Sequence, residues 1–174
     1  KLNAMYFHVP QSRERIIFIG VRDDLEREPS FPRAQSRAIT LEAALAGVVN
    51  SDADLEAADT RRYAVGREWE RVQPGGKVRD LRRCLWTRSA PTLTKKMGET
   101  ITARQPMHPD ENRVFTLPES KRIASYPETF AFAGGLVVGK ARIGNSVPPL
   151  FMRAIAEHVR YTILEADSSG ISES

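Results

Sequence analysis

The sequence predicts an α/β protein, and three of its segments carry that prediction. The stretch RIIFIGV, residues 15–21, is a nearly continuous run of Ile, Phe and Val, which is typical of a strand buried on both faces of a sheet. The stretches ITLEAALAGVV, residues 39–49, and VPPLFMRAIAEHVRYTIL, residues 147–164, place apolar residues at helical spacing. A chain of 174 residues is long enough for one such domain with a smaller lobe inserted in it.

The first strand is preceded by the polar stretch PQSRER, in which Pro10 predicts a turn. Alternate residues of an extended segment point to the same side, so Gln11, Arg13 and Arg15 are expected to share one surface. Three hydrogen-bonding side chains on one surface fit a ligand site and a solvated strand end about equally well.

The predicted helices have clear start signals. Thr40 is a natural N-cap for the first helix. Thr116 and Glu119 have the spacing of a capping box, which predicts a short helix from about residue 117 to 124. The last helix begins at a pair of prolines suited to a first turn, and it carries one apolar stripe formed by Phe151, Ile155, Val159 and Ile163.

The middle of the chain shows weak periodicity. Residues 50–112 are therefore expected to form an irregular, strand-containing lobe, with QPGGK as a turn and APTLTKK as a short β-prone piece. AFAGGLVVG is predicted to be a loop, and the Gly-Asn-Ser of IGNSVPPL is predicted to be a turn before the last helix. The tail 166–174 is polar and is expected to be disordered.

Charge is unevenly distributed in this chain of net charge +4. Residues 51–60 contain four acids and no base, whereas residues 61–90 contain nine basic side chains and three acidic ones. A basic stretch of this kind suits nucleic-acid phosphates, although a solvated surface explains it about as well. No apolar run approaches the roughly 20 residues of a membrane helix, so no membrane partner is expected. The single cysteine suits a reducing cytoplasm.

Two familiar kinds of chemistry are unfavourable here. Gly134, Gly139 and Lys140 match part of a phosphate-binding loop, but Ala141 replaces the hydroxyl residue that would hold magnesium and no helix is predicted to begin there. Cys84 lies between basic residues, yet it has no identifiable base and is interpreted as a packed side chain. The three histidines share no ligand spacing, and no metal site is expected.

Four motifs, in this order, resemble the C-terminal half of the cytosine-C5 DNA methyltransferases. LNAMYFHVPQSRERIIFIGVR resembles the family's Gln-x-Arg-x-Arg motif, and APTLTK resembles a piece of its target-recognition lobe. HPDENRVFTLPESKRIASYPETF is similar to the ninth conserved motif, and RIGNSVPPLFMRAIAEHV to the tenth.

The resemblance implies an incomplete Rossmann-like catalytic domain interrupted by a target-recognition lobe. Its expected parts are the end of the catalytic sheet at 1–24, the lobe at 25–140, the cofactor-side turn and returning helix at 141–165, and the tail. It also implies a protein of the bacterial cytoplasm that binds double-stranded DNA, flips out a cytosine and methylates it with S-adenosylmethionine.

The resemblance also implies roles for individual residues. Arg15 is the candidate for the pyrimidine carbonyl oxygen, where charge develops, with Arg13 and Gln11 supporting it. The expected cofactor contacts are Asn145, Ser146 and Val147. Arg113 and Thr116 correspond to residues that organise the lobe. The expected DNA-binding residues are Arg82, Arg83, Arg88, Thr92, Thr94, Lys95 and Arg113.

Departures from the family pattern limit what the chain is expected to do alone. The family's nucleophile is the cysteine of a Pro-Cys pair, whereas no proline precedes Cys84, and the glycine-rich cofactor motif and the Glu-Asn-Val motif are also absent. The expectation is a C-terminal portion of a methyltransferase that is inactive without an N-terminal catalytic portion. Two alternatives remain: a non-catalytic DNA-binding or regulatory module, and one subunit of a split enzyme.

Overall fold

The described residues form both helices and short strands, in the order two strands, three helices, three strands and three helices, and this mixture is consistent with the predicted α/β class. The computed structural model describes residues 1–61, 63–78, 81–94 and 106–165, so Lys95 and the tail 166–174 lie outside the described residues. The strands are β1 (Leu2–Asn3), β2 (Glu14–Arg15), β3 (Lys77–Val78), β4 (Leu81–Arg83) and β5 (Pro106–Met107). The helices are α1 (Leu41–Leu45), α2 (Asp52–Ala58), α3 (Ala64–Trp69), α4 (Leu117–Ile123), α5 (Leu136–Asn145) and α6 (Pro149–Val159).

The predicted strand buried on both faces is wrong. Within the described residues β2 pairs only with β1, antiparallel, with Leu2 opposite Arg15. Beyond β2, Ile16 is 69% exposed and Phe18 is 91% exposed, while Ile17 packs against an apolar cluster. The segment is therefore covered on one face only, because the described chain supplies no further strand or helix for the other face. The Rossmann-like sheet stays a prediction.

The region 50–112 contains two helices that the weak periodicity did not indicate. Ser51 and Asp54 form a complete capping box at the start of α2, so the acidic stretch is a helix N-terminus, where negative charge is favourable. The strands of this region form a three-stranded sheet in the order β3, β4, β5. The turn predicted at QPGGK is confirmed, with Gly75 at a φ of +80°. The β-prone piece makes only an isolated bridge between Ala90 and Gln11 within the described residues.

The capped helices are confirmed and one predicted loop is wrong. Thr40 caps α1, and Thr116 and Glu119 form both bonds of the capping box of α4. The predicted loop AFAGGLVVG instead leads into α5, in which Gly139 allows α4 to approach closely. A Cβ at Gly139 would lie 2.6 Å from Leu117 Cδ1. Helix α5 also runs across residue 140, where the sequence placed a domain boundary, so the domain boundaries stay a prediction.

The central apolar cluster joins segments that are far apart in sequence. It consists of Leu41, Cys84, Ala90, Leu93, Phe115, Ile123, Ala124 and Ile143. A second cluster packs α6 against the N-terminal segment through Phe7, Val9 and Phe151. The predicted apolar stripe of the last helix is largely confirmed, because Phe151 and Ile155 are buried in α6 and Ile163 is buried in the π-helical turn Arg160–Leu164 that follows it. No helix in the described part of the chain is long and apolar enough to cross a membrane.

Candidate functional site

Arg13 ties three distant segments together. Its guanidinium donates from Nη1 to the Leu93 carbonyl at 2.7 Å and from Nη2 to the carbonyls of Gly144, at 2.7 Å, and Ser146, at 2.9 Å. The side chain is only 2% exposed. The start of β2, the segment after Ala90 and the end of α5 are therefore held in one fixed arrangement.

The charge of Arg13 has no carboxylate partner among the described residues. The hydrogen-bond acceptors of its guanidinium are carbonyl oxygens, and Nε makes no hydrogen bond. Burial, and then the nearby positive charge of Arg15, lower the pKa of Arg13 to about 10. Arg13 stays charged at neutral pH, so this part of the molecule carries uncompensated positive charge.

Gln11 supports the same segment. It is buried, and its Oε1 accepts a hydrogen bond from the Leu93 amide at 3.3 Å. Thr92 donates through its hydroxyl to the Ser12 carbonyl at 2.7 Å. Gln11 and Arg13 thus both bind the chain at Leu93, which makes the two segments one rigid unit.

Arg15 differs from Arg13 in being half-exposed. Its described hydrogen bond is local, from Nη1 to the Glu14 carbonyl at 2.6 Å. Gln11 and Arg13 are buried, Arg15 is half-buried and Glu14 is exposed, which is the alternation expected of an extended segment. Arg15 is therefore the guanidinium of this set that retains donors for a ligand.

The turn predicted at residues 144–146 is wrong, because Gly144 and Asn145 are the last residues of α5. Ser146 ends that helix, and its hydroxyl donates to the Ile143 carbonyl at 2.8 Å. The start of α6 offers few free amides to a ligand, because Pro148 and Pro149 have no N–H and the Leu150 amide donates to Ser125 Oγ. Asn145 and Val147 lie exposed beside the Arg13 contacts.

A second buried arginine, Arg113, organises the start of α4 through Glu119. Arg113 binds both carboxylate oxygens of Glu119, at 2.8 and 2.9 Å, and both of Glu111, at 3.0 and 3.1 Å. Burial disfavours the charged guanidinium, but the hydrogen bonds that Arg113 donates to the two carboxylates outweigh this effect and raise the pKa of Arg113. Although burial disfavours the charged form of Glu119, the guanidinium lowers the pKa of this carboxyl.

Asn50 extends the network around Glu119. Its amide donates to Glu119 Oε1 at 3.0 Å, and its Oδ1 accepts from the Thr116 hydroxyl at 2.7 Å. The sequence analysis missed Asn50, because only tertiary structure places it beside Thr116 and Glu119. The capping-box spacing did identify Thr116 and Glu119 as neighbours.

His108 lies beside the same network, with its Nε2 3.6 Å from Glu111 Oε1, and was also missed. Its Nδ1 accepts hydrogen bonds from the amides of Asp110, at 3.3 Å, and Glu111, at 3.1 Å. Burial, and then the charge of Arg113, lower the pKa of His108. A neutral imidazole protonated at Nε2 is the form that fits these bonds.

Lys140 is the buried cation that remains without a partner within the described residues. It is 2% exposed, and its Nζ makes no hydrogen bond. Burial lowers the pKa of Lys140 to about 7, with Glu119 acting in the opposite direction. A buried side chain in the middle of α5 is not positioned to bind the phosphates of a nucleotide, which agrees with the rejection of a phosphate-binding loop.

The basic residues expected to face DNA fall into two groups. Arg82 and Arg88 are exposed, and so is Thr94. Arg83 instead donates to the carbonyls of Pro109, at 2.6 Å, and Val72, at 3.1 Å, and lies 3.9 Å from the ring centre of Trp69. Arg83, like the buried Arg113, is therefore placed to hold the protein together.

Cys84 packs in the central cluster and is 4% exposed. Burial raises the pKa of its thiol to about 12, and the opposing effect of Arg82 is too small to prevent this. A thiol that stays protonated is a poor nucleophile, so the interpretation of Cys84 as a packed side chain is confirmed.

Comparisons with known proteins agree with the resemblance read from the motifs. The chain is 33% identical to the type II methyltransferase M.Sau96I of Staphylococcus aureus, over 84% of the chain and 39% of that protein. It is 29% identical to the type II methyltransferase M.Eco47II of Escherichia coli, over 91% of the chain and 44% of that protein. The chain thus spans less than half the length of these relatives.

The fold also matches a solved structure. An Escherichia coli protein, described as a DNA modification methyltransferase encoded within a prophage, superposes with a TM-score of 0.72 at 21% identity, over 94% of this chain and 59% of that one. The model of the C-5 cytosine-specific DNA methylase family matches residues 2–160, which is nearly the whole chain. The chain belongs to the C-5 cytosine-specific DNA methylase family.

Proposed function

We propose that the chain is the C-terminal portion of a DNA (cytosine-5-)-methyltransferase. It binds double-stranded DNA, accepts a cytosine flipped out of the duplex and takes part in transfer of a methyl group to carbon 5. The observation that carries the proposal is the contrast between Arg13 and Arg15 in a chain of this family. Arg13 fixes three segments, and Arg15, two residues further on, keeps its guanidinium available.

Arg15 is the proposed contact to the extruded pyrimidine. Nucleophilic attack on the ring places negative charge on the carbonyl oxygen, and a guanidinium already in position stabilises that charge most as it develops. Arg13 and Gln11 are positioning residues, because they hold the backbone that carries Arg15. The nearby charge of Arg13 also adds to the positive potential at the surface that carries Arg15.

S-adenosylmethionine is the proposed methyl donor, and when bound it supplies an electrophilic methyl group. The end of α5 fits a ligand with polar and apolar parts, because Asn145 and Val147 are both exposed there. The Ser146 hydroxyl caps the helix instead, and its carbonyl accepts from Arg13. We propose that Asn145 and Val147 contact the methyl donor. Ser146, whose carbonyl accepts from Arg13, fixes the end of α5 relative to the segment that carries Arg15.

A further catalytic portion is proposed to complete the enzyme. The chain contains one cysteine, and Cys84 is buried with a raised pKa, so it does not supply the thiolate. The relatives are more than twice as long as the parts that the chain matches. The exposed residues Ile16 and Phe18 are the proposed contact surface for that portion, because it would cover the exposed side of the segment that follows β2.

Transfer of labelled methyl groups from S-adenosylmethionine to mixed-sequence DNA tests the proposal. The 174-residue chain is expected to be inactive alone and active when joined or mixed with the proposed N-terminal catalytic portion. Activity of the isolated chain would overturn the need for a partner. A stop codon and a second gene upstream would favour the split enzyme, and the absence of any Pro-Cys coding sequence would favour a non-catalytic binding module.

Substitutions in the active assembly test the two surfaces. Arg15→Ala is expected to lower kcat by about 100- to 1000-fold, because it removes one preorganised donor to the transition state. Phe18→Ser is expected to reduce assembly, whereas Phe31→Ser, which alters a phenylalanine exposed elsewhere, is expected to leave it unchanged. Equal effects of the two phenylalanine substitutions would contradict the proposed contact surface.

A further inference from the structure

A small basic pocket lies beside Ser12, just before β2. It has a volume of about 130 Å³, and its lining includes Ser12, Arg82, Arg88 and Ser89. Arg83 and Cys84 form part of its wall. Among the described residues that line it there are three arginines and no carboxylate, so the pocket favours an anion.

The donors in this pocket are unequal. Arg83 uses its guanidinium to hold the carbonyls of Pro109 and Val72. Arg82 and Arg88 are exposed and make no side-chain hydrogen bond or ion pair with the described residues. Two guanidiniums that line one pocket and have no partner among the described residues can converge on a single ligand.

The hydroxyl groups favour the same kind of ligand. Ser12 Oγ accepts a hydrogen bond from Asn3 at 3.3 Å, so its own proton is left to donate. Ser89 donates to the Ile39 carbonyl at 2.6 Å and acts as part of the frame. Guanidinium groups with a hydroxyl donor suit the several oxygens of a phosphate.

We propose that this pocket binds one backbone phosphate of DNA, held by Arg82 and Arg88 together. The inference deepens the proposed function and rests on it. Ser12 precedes Arg15 by three residues, about 10 Å of extended chain. A phosphate in the pocket would therefore fix the DNA backbone close to the nucleotide that Arg15 receives.

The number of phosphates neutralised can be measured from the salt dependence of binding. The affinity of the 174-residue chain for a labelled mixed-sequence duplex is followed by fluorescence anisotropy between about 50 and 200 mM salt. Loss of one phosphate contact reduces the slope of log affinity against log salt by about 0.9, which is about 3.5-fold less loss of affinity over that range. Loss of two separate contacts would give about 12-fold.

The double variant Arg82→Ala/Arg88→Ala is expected to show the change for one phosphate, not for two. Arg82→Lys/Arg88→Lys keeps both charges and is expected to keep the wild-type slope. Arg33→Ala removes one charge from an exposed position outside the pocket and is expected to leave the slope unchanged. Circular dichroism checks that each variant is folded.

The outcomes separate the pocket from the proposed function. Binding with an unchanged slope in the double alanine variant would overturn the pocket, and so would a decrease equal to two phosphates. Failure of the wild-type chain to bind any duplex would overturn both the pocket and the DNA-binding part of the proposed function. A slope altered equally by Arg33→Ala would also overturn the pocket, because the effect would then be general to surface charge.

Discussion

Arg13 and Arg113 are both buried, but they are stabilised in opposite ways. Arg113 is neutralised by two carboxylates, which raise its pKa. Arg13 binds carbonyl oxygens, and burial lowers its pKa. The region around Arg113 is thus electrostatically complete within this chain, whereas the region around Arg13 keeps a positive field.

This difference indicates which region is suited to binding an anion from outside the chain. A charge closed by carboxylates within its own chain serves the fold, since it needs no other ligand. A charge held only by carbonyls, with a second arginine beside it, costs stability that an anion would recover. The region of Arg13 and Arg15 is therefore the one suited to negatively charged DNA and to a transition state that gains negative charge.

The largest loss of stability is expected when a carboxylate partner of Arg113 is removed. Glu119→Gln removes the more buried carboxylate from Arg113 and is expected to destabilise the chain by about 3 to 5 kcal/mol, because a buried charge loses its partner. Glu111→Gln alters the carboxylate that is about half exposed and is expected to cost about 1 kcal/mol or less. Urea unfolding at neutral pH measures both. Equal losses would show that the two carboxylates share the charge of Arg113 equally.

A smaller loss of stability is expected from substitutions at Arg13 and Arg15. Arg13→Met keeps much of the side-chain volume but leaves the carbonyls of Leu93, Gly144 and Ser146 without their donor, at a cost of about 2 to 3 kcal/mol. Arg15→Met is expected to change stability by no more than about 0.5 kcal/mol, because Arg15 is half-exposed and makes a local bond. If urea unfolding gives similar losses for both, then Arg15 is also structural and the contrast between them fails.

Lys140 is expected to make the stability of the chain depend on pH. Below about pH 7 the side chain is charged in the folded and unfolded states, and above about 10.5 it is neutral in both. Between these values only the unfolded state holds the proton, so its pKa shift makes stability rise with pH, by up to about 1.4 kcal/mol per unit.

Lys140→Met is expected to abolish this rise and to stabilise the chain at neutral pH, because no buried ammonium has to lose its proton or its water. The control Lys77→Met, at an exposed position, is expected to keep the rise. Urea midpoints at pH 7 and pH 9 measure it. The same pH dependence in Lys140→Met would assign the effect to another group.

The success of the sequence analysis followed the range of the interactions involved. Helix caps are local signals, so Thr40 and the Thr116–Glu119 pair were predicted correctly. The structural tie made by Arg13 spans up to 133 residues of sequence, and nothing in the local pattern around Arg13 specifies carbonyls at Leu93 or Ser146.

The wrong predictions have the same origin. The glycines of AFAGGLVVG indicate a loop by their local preference, but Gly139 is there to let α4 pack against α5. RIIFIGV has the composition of a strand covered on both sides, and the described chain covers one. The composition of RIIFIGV therefore fits the complete enzyme that we propose, in which both sides of this segment are covered.

The smallest effect is expected where that environment is absent. Ile16 and Ile17 are the same residue type at adjacent positions, with Ile16 69% exposed and Ile17 packed against the cluster of Phe7 and Phe151. Ile16→Ser is expected to change the stability of the isolated chain by no more than about 0.5 kcal/mol, whereas Ile17→Ser is expected to cost about 1 kcal/mol or more. Urea unfolding of the isolated chain and of the assembly with its catalytic portion measures the pair. In the assembly the cost of Ile16→Ser should rise toward that of Ile17→Ser, because both faces of the strand are then covered. An unchanged cost would mean that the open face stays open, and the proposed contact surface at Ile16 and Phe18 would be wrong.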